Sequence, residues 1–428
     1  MFTFLFNVLS RSVVVVLVAM LSVNYIPDSM FQDFPLEPRQ VVPNDYDSVI
    51  PQNWNTKLSS GKPEYIQLNN ILGPESIAIA KNGLLYTGLA DGRLVELDPS
   101  NKYKLRTVAR VNPHLKNKCP DNSALRCDEC GRFLQVRFNN DTLYAIEAAT
   151  GLYKVDTKSG VKAPVGPKSL SKVHLYNSFA FDPVEPNLIY ITVSSTRWNL
   201  LYIVWSLFEQ ESTGQLLVLD TKTGKRAIVF DDMRMANGVD VDAKRDQVLV
   251  SETLGSKITS VSMKDIRAAF KVATDGGKLK GVERKALIPL VPGSPDNVIV
   301  EGDIAYVALP FVKLNGKDFM DHLGSMPNVR KAIGRFMFGT GKLLEYVCKN
   351  FYPHPLLETA YRELKCGHTN YRIIQNDKSA VLKYNLATGS SELLGSDLFG
   401  FISEAVPDGK GNLYLGSFRS PFIVKQKI

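Results

Sequence analysis

Glu75, Asn177, Asn237 and Asn297 each place a side-chain oxygen at the opening of an alternating apolar strand. The stretches they open read GPESIAIAKNGLLYTGLADGRLVEL (73–97), NSFAFDPVEPNLIYITVSS (177–195), ANGVDVDAKRDQVLVSETLGSKITSV (236–261) and PDNVIVEGDIAYVALP (295–310). In each, a polar turn follows and a second strand begins at a Leu-Tyr, Val-Leu or similar apolar pair. Asn177, Asn237 and Asn297 are spaced 60 residues apart, and the longer gap back to Glu75 has room for two shorter units. Self-similarity at such a period marks a radial β-array, in which equivalent residues face one axis. With Asp296 beside Asn297, the set offers two carboxylates and three amide oxygens, the hard donors that a calcium ion takes. An ion with an open position polarises an ester or lactone carbonyl, and Asp296 or Glu75 then orients or deprotonates the attacking water. Any one Asn before a strand is equally an Asx-turn residue; recurrence at one place in a repeat is what favours ligands.

The elements that must position these oxygens are strands. β-branched and aromatic runs divided by NG, DG, TG and PD turns favour an all-β chain over alternating βα units. Strand groups fall at 77–97, 134–155, 179–219, 239–261, 298–309 with 380–384, and 402–424. That grouping predicts a six-bladed β-propeller over 64–428, with the strand near Ile66–Leu68 completing the last blade and so removing an open edge. The region 311–375 breaks the β pattern. Its segment MPNVRKAIGRFMFGTGKLLEYVCKNFY predicts a basic amphipathic helix interrupted at Gly339–Gly341, which packs on the rim, covers the channel as a lid, or contacts a membrane.

Ahead of the strands, Phe2–Ile26 is almost wholly apolar, interrupted by Asn7, Arg11 and Asn24. An early Arg11 and the later Asp28, Asp33 and Glu37 orient such a segment with its N-terminus in the cytosol. Residues 1–26 are therefore expected to form a cytosolic tip and single-pass type II signal-anchor, with the bulk in the ER lumen or outside the cell. The alternative is a cleaved signal peptide and secretion. Pro27, Pro35, Pro38, Pro43, Pro51 and Pro63 make 27–63 an expected extended spacer. A net charge of +8 is spread along the chain without the aromatic interleaving of a nucleic-acid groove, which argues against nucleic acid as a partner.

Cys119, Cys127 and Cys130 lie close together in NKCPDNSALRCDECGR, and Cys348 and Cys366 flank a later loop. CDEC has the C-x-x-C spacing of zinc or redox sites, but no second such pair or His-x-x-x-His follows, so a disulfide is favoured in an oxidising compartment. Asn140-Asp141-Thr142 is a glycosylation sequon in a predicted turn.

The stretches GPESIAI, YTGLADGRLVEL, CGR (130–132), GLYKVD, SSTRW (194–198), GQLLVLD, PDN (295–297), ISEA and LYLGSFRSPF together resemble the strictosidine synthase-like family, across roughly Glu64 to Phe422. The resemblance implies a six-bladed propeller and a type II anchor. Relatives of that family, the paraoxonases and gluconolactonase-type enzymes, hold calcium at the propeller centre, and their ligands match Glu75, Asn177, Asn237, Asp296 and Asn297. It also implies pairing of Cys119 with Cys130, and it aligns Glu404 of ISEA with the glutamate that strictosidine synthase uses. Asn177-Ser178 and Thr192-Val193 stand where the family has Asn-Asp and Thr-Asp, removing two carboxylates that a second ion would use. A paraoxonase-like histidine pair is not evident; His174 is the histidine nearest Asn177. The function expected is calcium-dependent arylesterase or lactonase-type hydrolysis of a small ester by a membrane-anchored propeller. The alternative is a non-catalytic, membrane-tethered binding or scaffold propeller with a structural ion.

Overall fold

Alternating apolar residues separated by tight polar turns give strands that pair with their chain neighbours. The computed structural model describes residues 18–20, 22–50, 62–115, 119, 126–166, 175–313, 319–370, 378–396 and 400–428. Among these, six four-stranded antiparallel sheets form, with a two-stranded ribbon beside them. Their leading strands are Ala78–Ile79, Phe133–Asn139, Leu175–Phe181, Ala236–Asp242, Val298–Glu301 and Ile402–Pro407. The sixth sheet is completed from the other end of the chain: Glu64–Gln67 pairs with Phe422–Lys427, Ile66 opposite Ile423. The ribbon joins Gly293–Ser294 to Phe311–Val312, so the β pattern extends slightly into the region expected to break it.

The chain divides into two compact units, and all of these strands lie in the one formed by Asp45–Leu201, Ser212–Gly316 and Asn376–Ile428. Each sheet buries both faces against its neighbours, which is why the strand Leu188–Ser195 is buried at every position. Tyr190, Leu216 and Val218 of the third sheet pack on Val239, Val248 and Val250 of the fourth. Ile66, Ile423, Leu85 and Val95 join the sixth sheet to the first. Helix α1 (Val204–Glu209) belongs to the other unit, whereas α2 (Met263–Val272) lies in this one. Helix α2 begins where the Ser262 hydroxyl accepts from the Asp265 amide at 3.2 Å, and it adds Ile266 and Phe270 to the cluster between the third and fourth sheets.

The other unit gathers Met1–Asn44, Tyr202–Glu211 and Lys317–Gln375. It is built on α3 (Pro327–Asn350) and α4 (Pro355–Cys366). Helix α3 runs without a break through Gly339 and Gly341, where the sequence predicts an interruption. A Cβ at Gly341 would lie 2.7 Å from the Lys365 side chain and 3.1 Å from the Tyr361 carbonyl oxygen, so glycine there lets α4 approach. Packing overrides intrinsic propensity at this position.

The expected spacer also differs in its first half. Phe34 stacks on Phe338 with ring centroids 4.3 Å apart and meets Trp205 edge-on at 5.0 Å. Phe34 and Leu36 are buried, and Arg330 donates to the carbonyls of Phe208, Arg39 and Gly324. Prolines keep the segment extended, but its few apolar side chains are enough to hold it on α3. No helix among the described residues is long and apolar enough to cross a membrane; the expected anchor, Phe2–Ile26, lies largely outside them.

Cys119 and Cys130 form a disulfide with Cα atoms 5.8 Å apart, closing a separation of 11 residues. Cys348 and Cys366 do not bridge one another. Asn140 is exposed at the turn between Phe133–Asn139 and Thr142–Glu147, with φ of 53°. A Cys119→Ser, Cys130→Ser chain is expected to lose about 2–3 kcal/mol of stability, as a loop of this size implies. Chemical denaturation and non-reducing peptide mapping check this; a parent chain in which Cys119 maps as a thiol would refute the bridge.

Candidate metal and catalytic site

Four of the leading strands carry a register shift near their start: between Phe133 and Gln135, Tyr176 and Phe179, Ala236 and Val239, and Ile402 and Glu404. A bulge frees backbone groups from the ladder and re-aims the side chains beside it. Near these bulges, and on or just before the two leading strands without one, backbone amides are taken up by an adjacent sheet. Ser76 Oγ accepts from the Val136 amide at 2.9 Å, Gln135 Oε1 from Phe179 at 2.8 Å, and Ser178 Oγ from Val239 at 3.1 Å. Asp240 Oδ2 accepts from Val300 at 2.8 Å, the Ser403 carbonyl from Asn297 at 3.0 Å, and Glu404 Oε2 from Ile77 at 2.5 Å. These contacts pass through all six sheets and return to the first. Gly238 is part of the same close packing, since a Cβ there would lie 2.5 Å from the Asn297 Cα.

Within this belt the predicted ligands are buried: Glu75, Asn177, Asn237, Asp296 and Asn297 are all at most 7% exposed. The Asn237 amide nitrogen donates to Thr253 Oγ1 at 3.2 Å, and that hydroxyl donates to the Pro295 carbonyl at 2.7 Å. This chain fixes the amide with its nitrogen toward Thr253, which leaves the oxygen facing away from that hydroxyl. Asn237 Oδ1, Asp296 Oδ1 and Asn297 Oδ1 are all buried without a hydrogen-bond partner among the described residues. Orphaned buried oxygens are costly, about 1–3 kcal/mol each, and three so close in the fold call for a common partner.

The acids report the same deficit of positive charge. Burial pushes the Asp296 carboxyl well above its usual range, and the charges of Glu75 and Glu404 push it further. Burial also raises Glu75, against the pull of Arg132, whose guanidinium lies 3.1 Å from Glu75 Oε2. Among the described residues no three of Asp, Glu, His and Cys gather as metal ligands. The convergence is of carboxylates with amides, a donor set that suits calcium rather than zinc. Glu75, Asn237, Asp296 and Asn297 thus fit a hard divalent cation. Asn177 is one link away, through Thr192 Oγ1, which donates to the Asn237 carbonyl and accepts from the Ser178 amide.

Ser178 and Thr192 therefore stitch strands together, and Val193, which with Ser178 stands where the resemblance implies a carboxylate, is fully buried. Glu404 is engaged at both oxygens, by Ile77 and by Gln135 Nε2 at 3.4 Å. Of the histidines, His174 lies outside the described residues, and His354 caps α4 by accepting from the Leu356 amide at 3.2 Å. The residue that sequence reasoning missed is Arg132. It also donates to the carbonyls of Phe418 (3.0 Å) and Gly73 (3.4 Å), and it sits two residues from the disulfide at Cys130. CGR carried the only signal for it.

The family pattern described as strictosidine synthase matches residues 181–265, and that described as strictosidine synthase-like, N-terminal, matches 54–97. Along nearly its whole length the chain is similar to adipocyte plasma membrane-associated protein. The Gallus gallus protein is 28% identical, covering 96% of this chain and 88% of its own. The Bos taurus protein is 27% identical, covering 98% and 91%. A solved structure of the calcium-binding protein regucalcin from Agrobacterium tumefaciens covers 86% of this chain and 94% of its own at 11% identity and a TM-score of 0.48.

Burial pushes the Glu404 carboxyl up to about 8 from its ordinary 4.5. Its folded form keeps a proton that the unfolded chain gives up, so its contribution is full below about 4.5 and is lost as pH rises through about 8. Glu404→Gln keeps an acceptor for Ile77 and removes the titration. In chelator, its melting temperature should fall less between pH 5 and pH 8 than the parent's. Glu404→Ala should instead lose about 1–3 kcal/mol at every pH, because it orphans the Ile77 amide. Equal pH slopes for the parent and Glu404→Gln would contradict the assignment.

Proposed function

We propose that the six sheets are the blades of a β-propeller, held to a membrane by the N-terminal apolar segment as a type II protein, with calcium at the propeller centre. In this reading the chain is a calcium-dependent hydrolase of arylester or lactone type. The observation that carries it is the set of three unpartnered buried oxygens, on Asn237, Asp296 and Asn297, beside the two raised acids. Bound calcium would supply Lewis acidity toward an ester carbonyl. Asn237 and Asn297 present neutral oxygens, which hold a cation without cancelling its charge. Asp296, whose affinity for a proton is raised, accepts the proton of an attacking water. Glu75, held by the Arg132 guanidinium at 3.1 Å, orients that water. The proximity of Arg132 to a ligand carboxylate favours the second reading, a binding or scaffold propeller in which the ion is structural.

Purified chain assayed on an aryl acetate, with calcium and then with chelator, tests the proposal. Asn237→Ala and Asn297→Ala should lower calcium affinity and hydrolysis together. Glu75→Gln should lower both further, because it removes charge as well as an oxygen's basicity. Full esterase activity with undiminished calcium binding in the asparagine variants, with loss of activity in Glu404→Ala, would end the metal-hydrolase reading. A chain without hydrolysis whose melting temperature drops in chelator would establish the structural ion instead. Retention in membranes through alkaline carbonate washing tests the anchor; a mature chain beginning near Asn24 in the medium would show a signal peptide.

A further inference from the structure

Helix α3 is 24 residues long, about 36 Å, and it presents two different faces. Arg330, Gly334, Phe338, Gly341 and Cys348 are buried. On the other side, Val329, Ile333, Phe336, Leu343 and Val347 follow one another at helical spacing, each at least partly exposed. Leu343 is 62% exposed, and beyond the stripe Phe351 is 70%, Tyr352 62% and Leu356 75%. The stripe therefore ends in a cluster of large apolar side chains at the turn into α4. An apolar face of this length in water calls for an occupant.

We infer that this face of α3, together with the turn at Phe351–Leu356, lies in the interfacial layer of a lipid bilayer. The inference rests on the membrane-anchor reading above. The apolar segment read as the anchor ends against this same helix. Val18–Met20 and Ser22 are still helical, the Asn24 side chain donates to the Asn328 carbonyl at 2.8 Å, and Arg335 donates to the Ile26 carbonyl at 3.2 Å. A segment leaving the hydrocarbon at residues 24–26 thus delivers the start of α3 to the membrane surface. Tyr25, 91% exposed at that exit, and Tyr352 at the far end are the amphipathic aromatics that interfaces favour. The lysines of α3 are committed elsewhere: Lys331 to Glu37 at 2.9 Å, Lys342 to Asp33 at 2.6 Å and Lys349 to Glu345 at 2.8 Å. Binding is accordingly apolar, and it does not require acidic lipid.

The full chain, carrying Leu343→Cys, Phe351→Cys or, as the control on the opposite side of α3, Lys349→Cys, is labelled with an environment-sensitive fluorophore. The parent chain, whose Cys127, Cys348 and Cys366 are buried, serves as the labelling blank. Each is reconstituted into phosphatidylcholine vesicles, recovered by flotation and probed with acyl-chain nitroxide lipid. Emission at positions 343 and 351 should fall by about half while that at 349 holds, as expected for side chains within the acyl boundary. Equal quenching at all three positions in floated vesicles overturns the inference and leaves the anchor standing. Oxidative cross-linking of 343 to 343 between chains, without quenching, assigns the face to a second copy and also overturns it. A chain that fails to float overturns both readings.

Discussion

The centre of the sheet unit depends on leading strands packed too closely to satisfy their own backbones. On five of these strands, or just before them, an amide faces an adjacent sheet instead of its own ladder, and an unpaired buried amide is expensive. Side chains of the next sheet supply most of the missing acceptors: Ser76, Gln135, Ser178, Asp240 and Glu404, with the Ser403 carbonyl serving Asn297. The same arrangement that makes the belt complete concentrates oxygen atoms and leaves few hydrogens to share among them. Three side-chain oxygens then end without a donor. The orphaned set is thus a consequence of the packing, and its chemistry follows from the fold.

Charge at this centre is finely placed. Asp296 and Glu75 share a desolvated space with one guanidinium; burial raises both acids, and the charges of Glu75 and Glu404 add to the rise at Asp296. Arg132 reaches that space from the second sheet, on a segment fixed two residues away by a covalent bridge. Its bonds to the Gly73 and Phe418 carbonyls tie the loop before the first sheet and the turn between Asn412–Ser417 and Phe422–Lys427 of the sixth to the same group. Electrostatics and closure of the sheet order therefore meet in one side chain.

Strand groups were legible because alternation and turn chemistry are local, and Asn237 and Asn297 stood out because a repeat marks equivalent positions. Glu404 illustrates the limit. Its bond to Ile77 spans 327 residues, and no periodicity connects the two positions. Arg132 was invisible for the same reason: its own sheet gives it no repeat partner. The bulges were missed because a single extra residue looks like imperfect alternation. In the helical unit, Gly341 read as a break because propensity is local, whereas the approach of α4 that requires it is not. Phe34 and Leu36 were hidden among prolines, yet two apolar side chains against Phe338 and Gly334 are enough to turn a spacer into a packed segment.

The pairing of Glu64–Gln67 with Phe422–Lys427 sets an order of events for the newborn chain. A strand made near the start of synthesis has its partner near the end, so it waits through the synthesis of every intervening sheet. Five sheets can form hairpin by hairpin as they emerge, but the sixth cannot be completed before Phe422–Lys427 has been made. Until then the first strand is an exposed edge, the state in which β-chains mispair. Its shortness, four residues with only Ile66 buried, limits what a wrong partner could gain. The earliest strand of the six sheets finds its place only with the arrival of the latest.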